Sequence, residues 1–389
     1  MILVGSVLVA LPIVCLLYAY LGYPAIMWLV SRSRPAVRVL GDPPEWPEIT
    51  IVLPVYNEAA AIAHTLESLL AIDYPAERRH ILVVSDCSSD GTDDIVRSFS
   101  HQGIRLLRLT ERGGKTAAEN AAGPELQGTI AVNTDATIRI LPHSLKELVR
   151  VFQDPTVGVA SGRDISVSRA VVEENRGESG YVDYEMWLRS VETRAGSIVG
   201  ASGCCYAIRR ELFDMLFPSA LSRDFASALI AVEHGFRAVS VDGAVCLVPR
   251  TGSLRAEYRR KVRTMARGLE TLWFKRHLLF GGSNRLFAFQ LLSHKLIRWL
   301  VFLAAPGLPI GLALLALADP RAWWALGAVG LGLLIAALAF LWPHHRPVPR
   351  PVALLGFVLA AHAAGFMAWT KALRGELNPV WEPTRRTEL

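Results

Sequence analysis

Met1 to Val30 contains no charged side chain. About 20 consecutive apolar residues cross the hydrocarbon core of a bilayer, so this run is long enough to span one. Arg32, Arg34 and Arg38 follow it at once. Basic residues mark the cytoplasmic flank of a span, which sets the middle of the chain in the cytoplasm. A cleavable leader would carry its basic residues before the apolar run and small residues after it. Neither is present, and the run reads as an uncleaved helix. Three more apolar runs close the chain: Trp299 to Ala318, Trp323 to Trp342 and Pro351 to Thr370. Asp319, Pro320 and Arg321 part the first two; His344, His345, Arg346 and Arg350 part the last two. Trp299, Trp323, Trp324, Trp342 and Trp369 stand near the ends, where interfacial anchors stand. Pro306 and Pro309 lie inside the first of these runs, where neighbouring helices must satisfy the freed carbonyls.

The middle of the chain has a different pattern. Ile49 to Leu53 reads as a buried strand, and Glu58 to Leu70 as a helix with Ile62, Leu66, Leu69 and Leu70 on one face. His80 to Ser85 is a second strand, followed by a helix near Asp93 to Phe99. Ile104 to Leu109, Thr129 to Asn133 and Val157 to Ser161 complete five strands. Strands alternating with helices predict an α/β fold with a parallel, doubly wound sheet. Ligands of such sheets sit beyond the carboxyl ends of the strands. Polar residues follow the strands there: Pro54-Val55-Tyr56-Asn57-Glu58, then Asp86-Cys87-Ser88-Ser89-Asp90-Gly91-Thr92, then Asn133-Thr134-Asp135-Ala136-Thr137. Each puts a carboxylate at one edge of the sheet. Asp90 reads equally well as a turn and helix-cap residue.

The net charge of +6 is concentrated beside the apolar runs. Membrane flanks and an anionic substrate account for it better than nucleic acid does. The five cysteines (Cys15, Cys87, Cys204, Cys205 and Cys246) lack zinc-site spacing and fit reduced thiols of a cytoplasmic domain. Gly113-Gly114-Lys115-Thr116 ends like a P-loop, but Leu109 stands where that loop needs its first glycine. An ATPase is thereby excluded, and Lys115 stays available as a point charge for phosphate.

From Ile49 to Phe99 the chain resembles the start of family 2 glycosyltransferases, which have the GT-A fold. The resemblance continues through Asn133 to Thr137, Gly200 to Arg210, Ser222-Arg223-Asp224-Phe225, Glu257 to Arg263 and the closing Trp381 to Arg386. Its nearest relatives are membrane synthases of polysaccharides and glycolipids. The resemblance implies a Rossmann-like, mostly parallel sheet in a cytoplasmic domain between transmembrane helices. It implies that Val55, Glu58 and Asp86 hold the uridine of a UDP-sugar, and that Lys115 meets the diphosphate. Asp135 stands in the family's Asp-x-Asp position, which holds a divalent cation, Mg²⁺ or Mn²⁺, against the diphosphate; Thr137 replaces the second aspartate. Asp224 stands where the family has its base, with Arg223 in place of the usual acidic neighbour. A helix-cap aspartate paired to Arg223 is the plainer reading of that residue. Arg260 and Arg263 align with a Gln-x-x-Arg-Trp motif that caps the diphosphate; Arg260 replaces the glutamine and Thr264 the tryptophan. Gly200, Ser202 and Gly203 would line the acceptor side, where small residues admit a sugar or lipid headgroup closely.

The expected layout is a span at 1–31, a GT-A domain at 47–254, a basic interfacial helix region at 255–295, C-terminal spans at 296–372 and a tail at 373–389. The expected activity is inverting transfer from a UDP-sugar to a polysaccharide or lipid-linked acceptor at the cell membrane. Single transfer to a lipid such as ceramide or polyprenyl phosphate is the alternative within the class. Outside it stand a non-catalytic nucleotide-binding scaffold and a transporter; the apolar runs hold no acidic residue, which argues against a transport path. One span before the domain and three after it put the C-terminus outside. Lys371, Arg374, Arg385 and Arg386 argue for inside, unless Leu286 to Ile297 lies in the interface or one run is re-entrant.

Overall fold

The computed structural model describes residues 1–35, 40–167, 177–215, 217–249, 254–281, 284–342 and 348–376. Arg38, the linker residues His344, His345 and Arg346, and Trp381 to Arg386 with most of the predicted tail lie outside the described residues.

The sheet begins as its alternating sequence predicts. Strands β1 (Ile49–Val55), β2 (Arg79–Ser85), β3 (Ile104–Arg108) and β4 (Ile130–Thr134) are parallel to one another, in the order β3-β2-β1-β4. β1 is buried along its whole length, as a strand covered on both faces must be. Beyond β4 the sheet turns mixed. The predicted fifth strand is one end of a longer strand, Val157–Val167, and a short strand, Arg139–Ile140, precedes it. With β5 as Arg139–Ile140, β6 as Val157–Val167, β7 as Cys205–Arg209 and β8 as Arg237–Pro249, the sheet runs on as β4-β7-β6-β8-β5. β7 is antiparallel to both β4 and β6, and β6 shifts register against β8 at two places. Those irregularities bend the strand pair, and past them β6 carries Asp164 to the cavity described below.

The helix predicted to begin at Glu58 begins at Ile62. Glu58 instead closes a turn, its carbonyl accepting from the backbone N–H groups of Ala61 and Ile62. Asp90 is the turn residue of the plainer reading. Its carboxylate accepts from the Thr92 N–H (3.1 Å) and hydroxyl (2.5 Å) and from the Ala59 N–H (3.0 Å), tying the loops after β1 and β2 together.

Four helical stretches are long and apolar enough to cross a membrane: Ile2–Arg32, Arg285–Ala304, Ala322–Leu341 and Arg350–Leu373. The first, third and fourth match predicted runs. The second does not, because the run expected at Trp299 to Ala318 is broken. Helix Arg298–Ala304 ends just before Pro306, and helix Gly307–Ala316 starts after it; the proline removes a donor and crowds the preceding turn. Upstream, a π-helical segment, Leu291–Ile297, joins helix Arg285–Gln290 to Arg298–Ala304. The whole of 285–316 runs antiparallel to the first helix. The Tyr18 hydroxyl meets the Ser293 hydroxyl at 2.8 Å. Further along, a Cβ at Gly311 would lie 2.7 Å from the Gly5 carbonyl oxygen. The first helix also packs on the α/β part of the chain: Tyr23 and Met27 are fully buried with Leu188, Val191 and Ala195 of helix Gly177–Ala195.

Candidate active site

A cavity of about 720 Å³ opens where the sheet's strand ends face the apolar helices. Its walls include Glu58, Lys115, Asp135, Gly200, Ser202, Gly203, Asp224, Arg260 and Arg263. Residues drawn from six separate stretches of sequence thus meet on one space. Val55 and Asp86 do not line it. Val55 is fully buried in the core and Asp86 is 1% exposed.

One end of the site is built on Asp86. Its two carboxylate oxygens accept the backbone N–H groups of Gly113 (2.7 Å) and Gly114 (2.9 Å), while its own N–H donates to the Val55 carbonyl. Gly114 has φ +86°, a conformation open to glycine, and leads directly into helix Lys115–Ala122. In this structure Asp86 therefore orients the turn that presents Lys115. Arg112, beside that turn, stacks on Tyr56 with its guanidinium carbon 3.6 Å from the ring centroid.

Lys115 Nζ donates to Asp135 Oδ1 at 2.6 Å and to the Gly203 carbonyl at 3.0 Å. Burial alone would push the ammonium pKa down, but Asp135, Glu119 and Asp224 outweigh it and hold the pKa above its usual value. Lys115 is therefore a permanent cation. Glu119, one helical turn on, shows the opposite balance. Burial raises its pKa, and the nearby Lys115 and Arg223 only partly oppose the rise.

Asp224 stands in the first turn of helix Arg223–Glu233. Ser222, the residue before that helix, donates its hydroxyl to the Asp224 carboxylate. The ion pair with Arg223 suggested by the plainer sequence reading is not formed: the Arg223 guanidinium turns away to the Asn120 side chain and the Phe213 carbonyl and lies over the Phe213 ring. Gly203 explains why small residues face Asp224. A Cβ there would lie 2.5 Å from Asp224 Oδ2. Ser202 donates to both carboxylate oxygens of Asp164 (2.8 and 2.7 Å), and its N–H donates to Ser161 (2.8 Å).

The basic helix Leu254–Phe274 closes the cavity. Arg263 lines it. Arg260 and Lys261 pair with the fully buried Glu257 at 2.8 and 3.1 Å. Arg267 anchors the helix to the Thr116 hydroxyl (2.8 Å) and to the Leu221 carbonyl. Arg259 is exposed. Sequence reasoning missed Asp164, Glu119, Arg189, Lys295 and Arg298, all of which line the cavity. The last two carried a signal, since charged residues inside an apolar stretch mark a site; the stretch was started too late to include them.

Two family models match the chain. The model described as glycosyl transferase family 2 covers residues 50–217, and the one described as glycosyl transferase family group 2 covers 134–342, more than half of the chain. The chain belongs to glycosyl transferase family 2. The N-acetylglucosaminyltransferase of Rhizobium sp. (strain N33) is 26% identical over 264 residues, which cover 63% of this chain and 58% of that one. This glycosyltransferase thus spans well under two thirds of that relative. The beta-monoglucosyldiacylglycerol synthase of Trichormus variabilis (strain ATCC 29413 / PCC 7937) is 26% identical over 172 residues, 43% of this chain and 37% of that one. The solved mannosyltransferase PcManGT from Pyrobaculum calidifontis, in complex with GDP-Man and Mn²⁺, matches with a TM-score of 0.72 and 26% identity, over 95% of this chain and 99% of that one. The likeness of fold therefore extends along almost the whole of both chains.

Proposed function

We propose that this family 2 glycosyltransferase moves one sugar from a nucleotide diphosphate-sugar, a UDP-sugar by the sequence resemblance, to a lipid-linked acceptor at a membrane surface. One observation carries the reading. The cavity that holds Lys115, Asp135 and Asp224 is also walled by Phe302, Phe357, Val358 and Ala361 of the apolar helices. An acceptor whose tail stays among those helices has its head beside Asp224. The mannosyltransferase neighbour binds GDP-Man, so guanosine and uridine donors are both to be tested.

Asp224 acts as general base. It takes the proton of the acceptor hydroxyl as that oxygen bonds to the anomeric carbon, and the electron pair of the breaking C–O bond leaves with the nucleoside diphosphate. Attack from the face opposite the leaving group inverts the anomeric centre. Lys115 and Arg263 supply fixed positive charge where the leaving group gains negative charge. A divalent cation fits the residues present. Asp135 spends one oxygen on Lys115 and keeps the other, and Mg²⁺-type ions commonly hold one or two carboxylates together with substrate phosphates and water. When bound there, the cation neutralises charge on the diphosphate. Arg32 and Arg34 at the end of the first helix support a cytoplasmic position for the catalytic domain.

The test uses detergent-purified protein with UDP-GlcNAc, UDP-glucose or GDP-mannose, Mn²⁺ and membrane lipid extract. Nucleoside diphosphate release is expected with one donor, lipid-dependent and lost in Asp224→Asn and Asp135→Ala. Release that persists in both variants contradicts the site assignment.

A further inference from the structure

Beyond the donor end, the cavity holds cations that the transfer chemistry above does not use. Lys295 and Arg298 both line it, and both come from the helix that passes through the π-helical segment Leu291–Ile297. Such segments concentrate at functional sites. Arg298 is 4% exposed. One of its terminal nitrogens donates to Glu185. Its Nε and Nη2 are buried and have no hydrogen-bond partner among the described residues. Lys295 makes no ion pair among the described residues; its ammonium lies 5.5 Å from the Phe225 ring centroid and 6.0 Å from that of Trp299.

The nearest carboxylates are already taken. Glu185 faces Arg298 and, at 3.3 Å, one ring nitrogen of His294. Glu192 faces the other ring nitrogen at 2.6 Å and accepts the Tyr23 hydroxyl. The imidazole thus has a carboxylate at each ring nitrogen. Glu185 and Glu192 are thus engaged by Arg298, His294 and Tyr23, and neither forms an ion pair with Lys295. Leaving a charge uncompensated in a water-poor site is costly, and donors without partners there call for an acceptor from outside the chain.

We propose that Lys295 and Arg298 form a subsite for a phosphate group carried by the lipid acceptor, between its apolar tail and the hydroxyl that receives the sugar. The position supports that order. A Cβ on Gly200 would touch Phe225 at 3.1 Å and the Lys295 side chain at 3.7 Å, and Phe225 directly follows Asp224. The subsite therefore adjoins the base on one side and the apolar helices on the other. This assignment rests on the lipid-acceptor reading above for its role, but the binding itself is testable without turnover.

The test titrates farnesyl phosphate, and farnesol as its uncharged counterpart, into wild-type protein, Lys295→Met and Lys295→Arg in neutral detergent. Wild type is expected to bind farnesyl phosphate more tightly than farnesol. Lys295→Met should weaken the phosphate compound by about tenfold or more, the scale of one charge-assisted contact, and leave farnesol unchanged. Lys295→Arg should restore most of the loss. An unchanged unfolding temperature and unchanged nucleoside diphosphate binding show that Lys295→Met is folded. Competition by phosphatidylglycerol, but not phosphatidylcholine, identifies a phospholipid as the source of the phosphate. Failure of phosphatidylglycerol to compete identifies a prenyl-linked phosphate whose head group carries the hydroxyl. Equal affinity for farnesol and farnesyl phosphate, or equal affinity of wild type and Lys295→Met for farnesyl phosphate, overturns the subsite. If phosphate binding depends on Lys295 while no donor is turned over, the subsite stands and the transferase reading falls.

Discussion

Gly203 and Asp224 show how little room the chemistry leaves. The carboxylate occupies the place a Cβ would take, 2.5 Å from Oδ2. Gly203→Ala must push Asp224 aside, and a displacement of about 1 Å at a reacting group costs roughly 10²-fold in rate. We expect kcat to fall on that scale while nucleotide binding, read by calorimetry, is retained; a kcat within twofold of wild type would mean that Asp224 does not need its observed position. Lys115→Met removes the cation that meets Asp135 and the Gly203 carbonyl. It should weaken nucleoside diphosphate binding by roughly tenfold or more. Asp135 was legible as a carboxylate after a strand and Lys115 within Gly-Gly-Lys-Thr, while Asp224 and Gly203 were marked only by the family resemblance. Asp86 was legible as a carboxylate at the end of β2, but its bonds to the Gly113 and Gly114 backbone were not. They depend on the turn after β3 folding back across the end of β2, which no local pattern encodes.

Helix Leu254–Phe274 depends on a buried acid. Burial alone would raise the Glu257 pKa, but Arg260 and Lys261 overcome this and bring it down to about 2. A carboxyl lowered on folding stabilises the protein above its ordinary pKa, 4.5 here, and the contribution disappears as the pH falls from there through about 2. Over that window wild type should lose stability on the order of 3 kcal/mol more than Glu257→Gln does; parallel acid-unfolding curves would contradict the ion pair. At neutral pH Glu257→Gln should already be the less stable protein. The first helix and the stretch 307–316 meet through Gly5, Gly307 and Gly311, an approach that small residues permit between apolar helices. Gly311→Val should separate them and lower the unfolding temperature in detergent by several degrees, as a loss of about 1–3 kcal/mol from overpacking implies. At this scale the sequence was an uneven guide. Alternating strands and charge-free runs announce themselves through period and composition. The antiparallel insertion of β7 between β4 and β6 leaves no such mark, since a buried strand reads the same in either direction. The π-helical segment has no residue signature at all, and the span that contains it was therefore started at Trp299 instead of Arg285.

The whole molecule joins a charged sheet edge to apolar helices around one cavity. The proposed function assigns the charged end to the nucleotide-sugar and the end walled by Phe302 and Phe357 to a lipid tail. Helix Gly177–Ala195 ties the two halves, packing on β6 and β8 of the sheet while Glu185 and Glu192 pair with Arg298 and His294 of the apolar helix. Neither half makes a complete site alone. The direct measurement is transfer of radiolabel from a nucleotide-sugar into organic solvent-extractable lipid by purified protein. Lipid-dependent labelling is expected with one donor, at one sugar per lipid, with a fall of roughly 10²–10⁴-fold in Asp224→Asn, the usual scale for loss of a general base. Label that stays in the aqueous phase with every donor, or that reaches lipid equally well in Asp224→Asn, would contradict the proposed function.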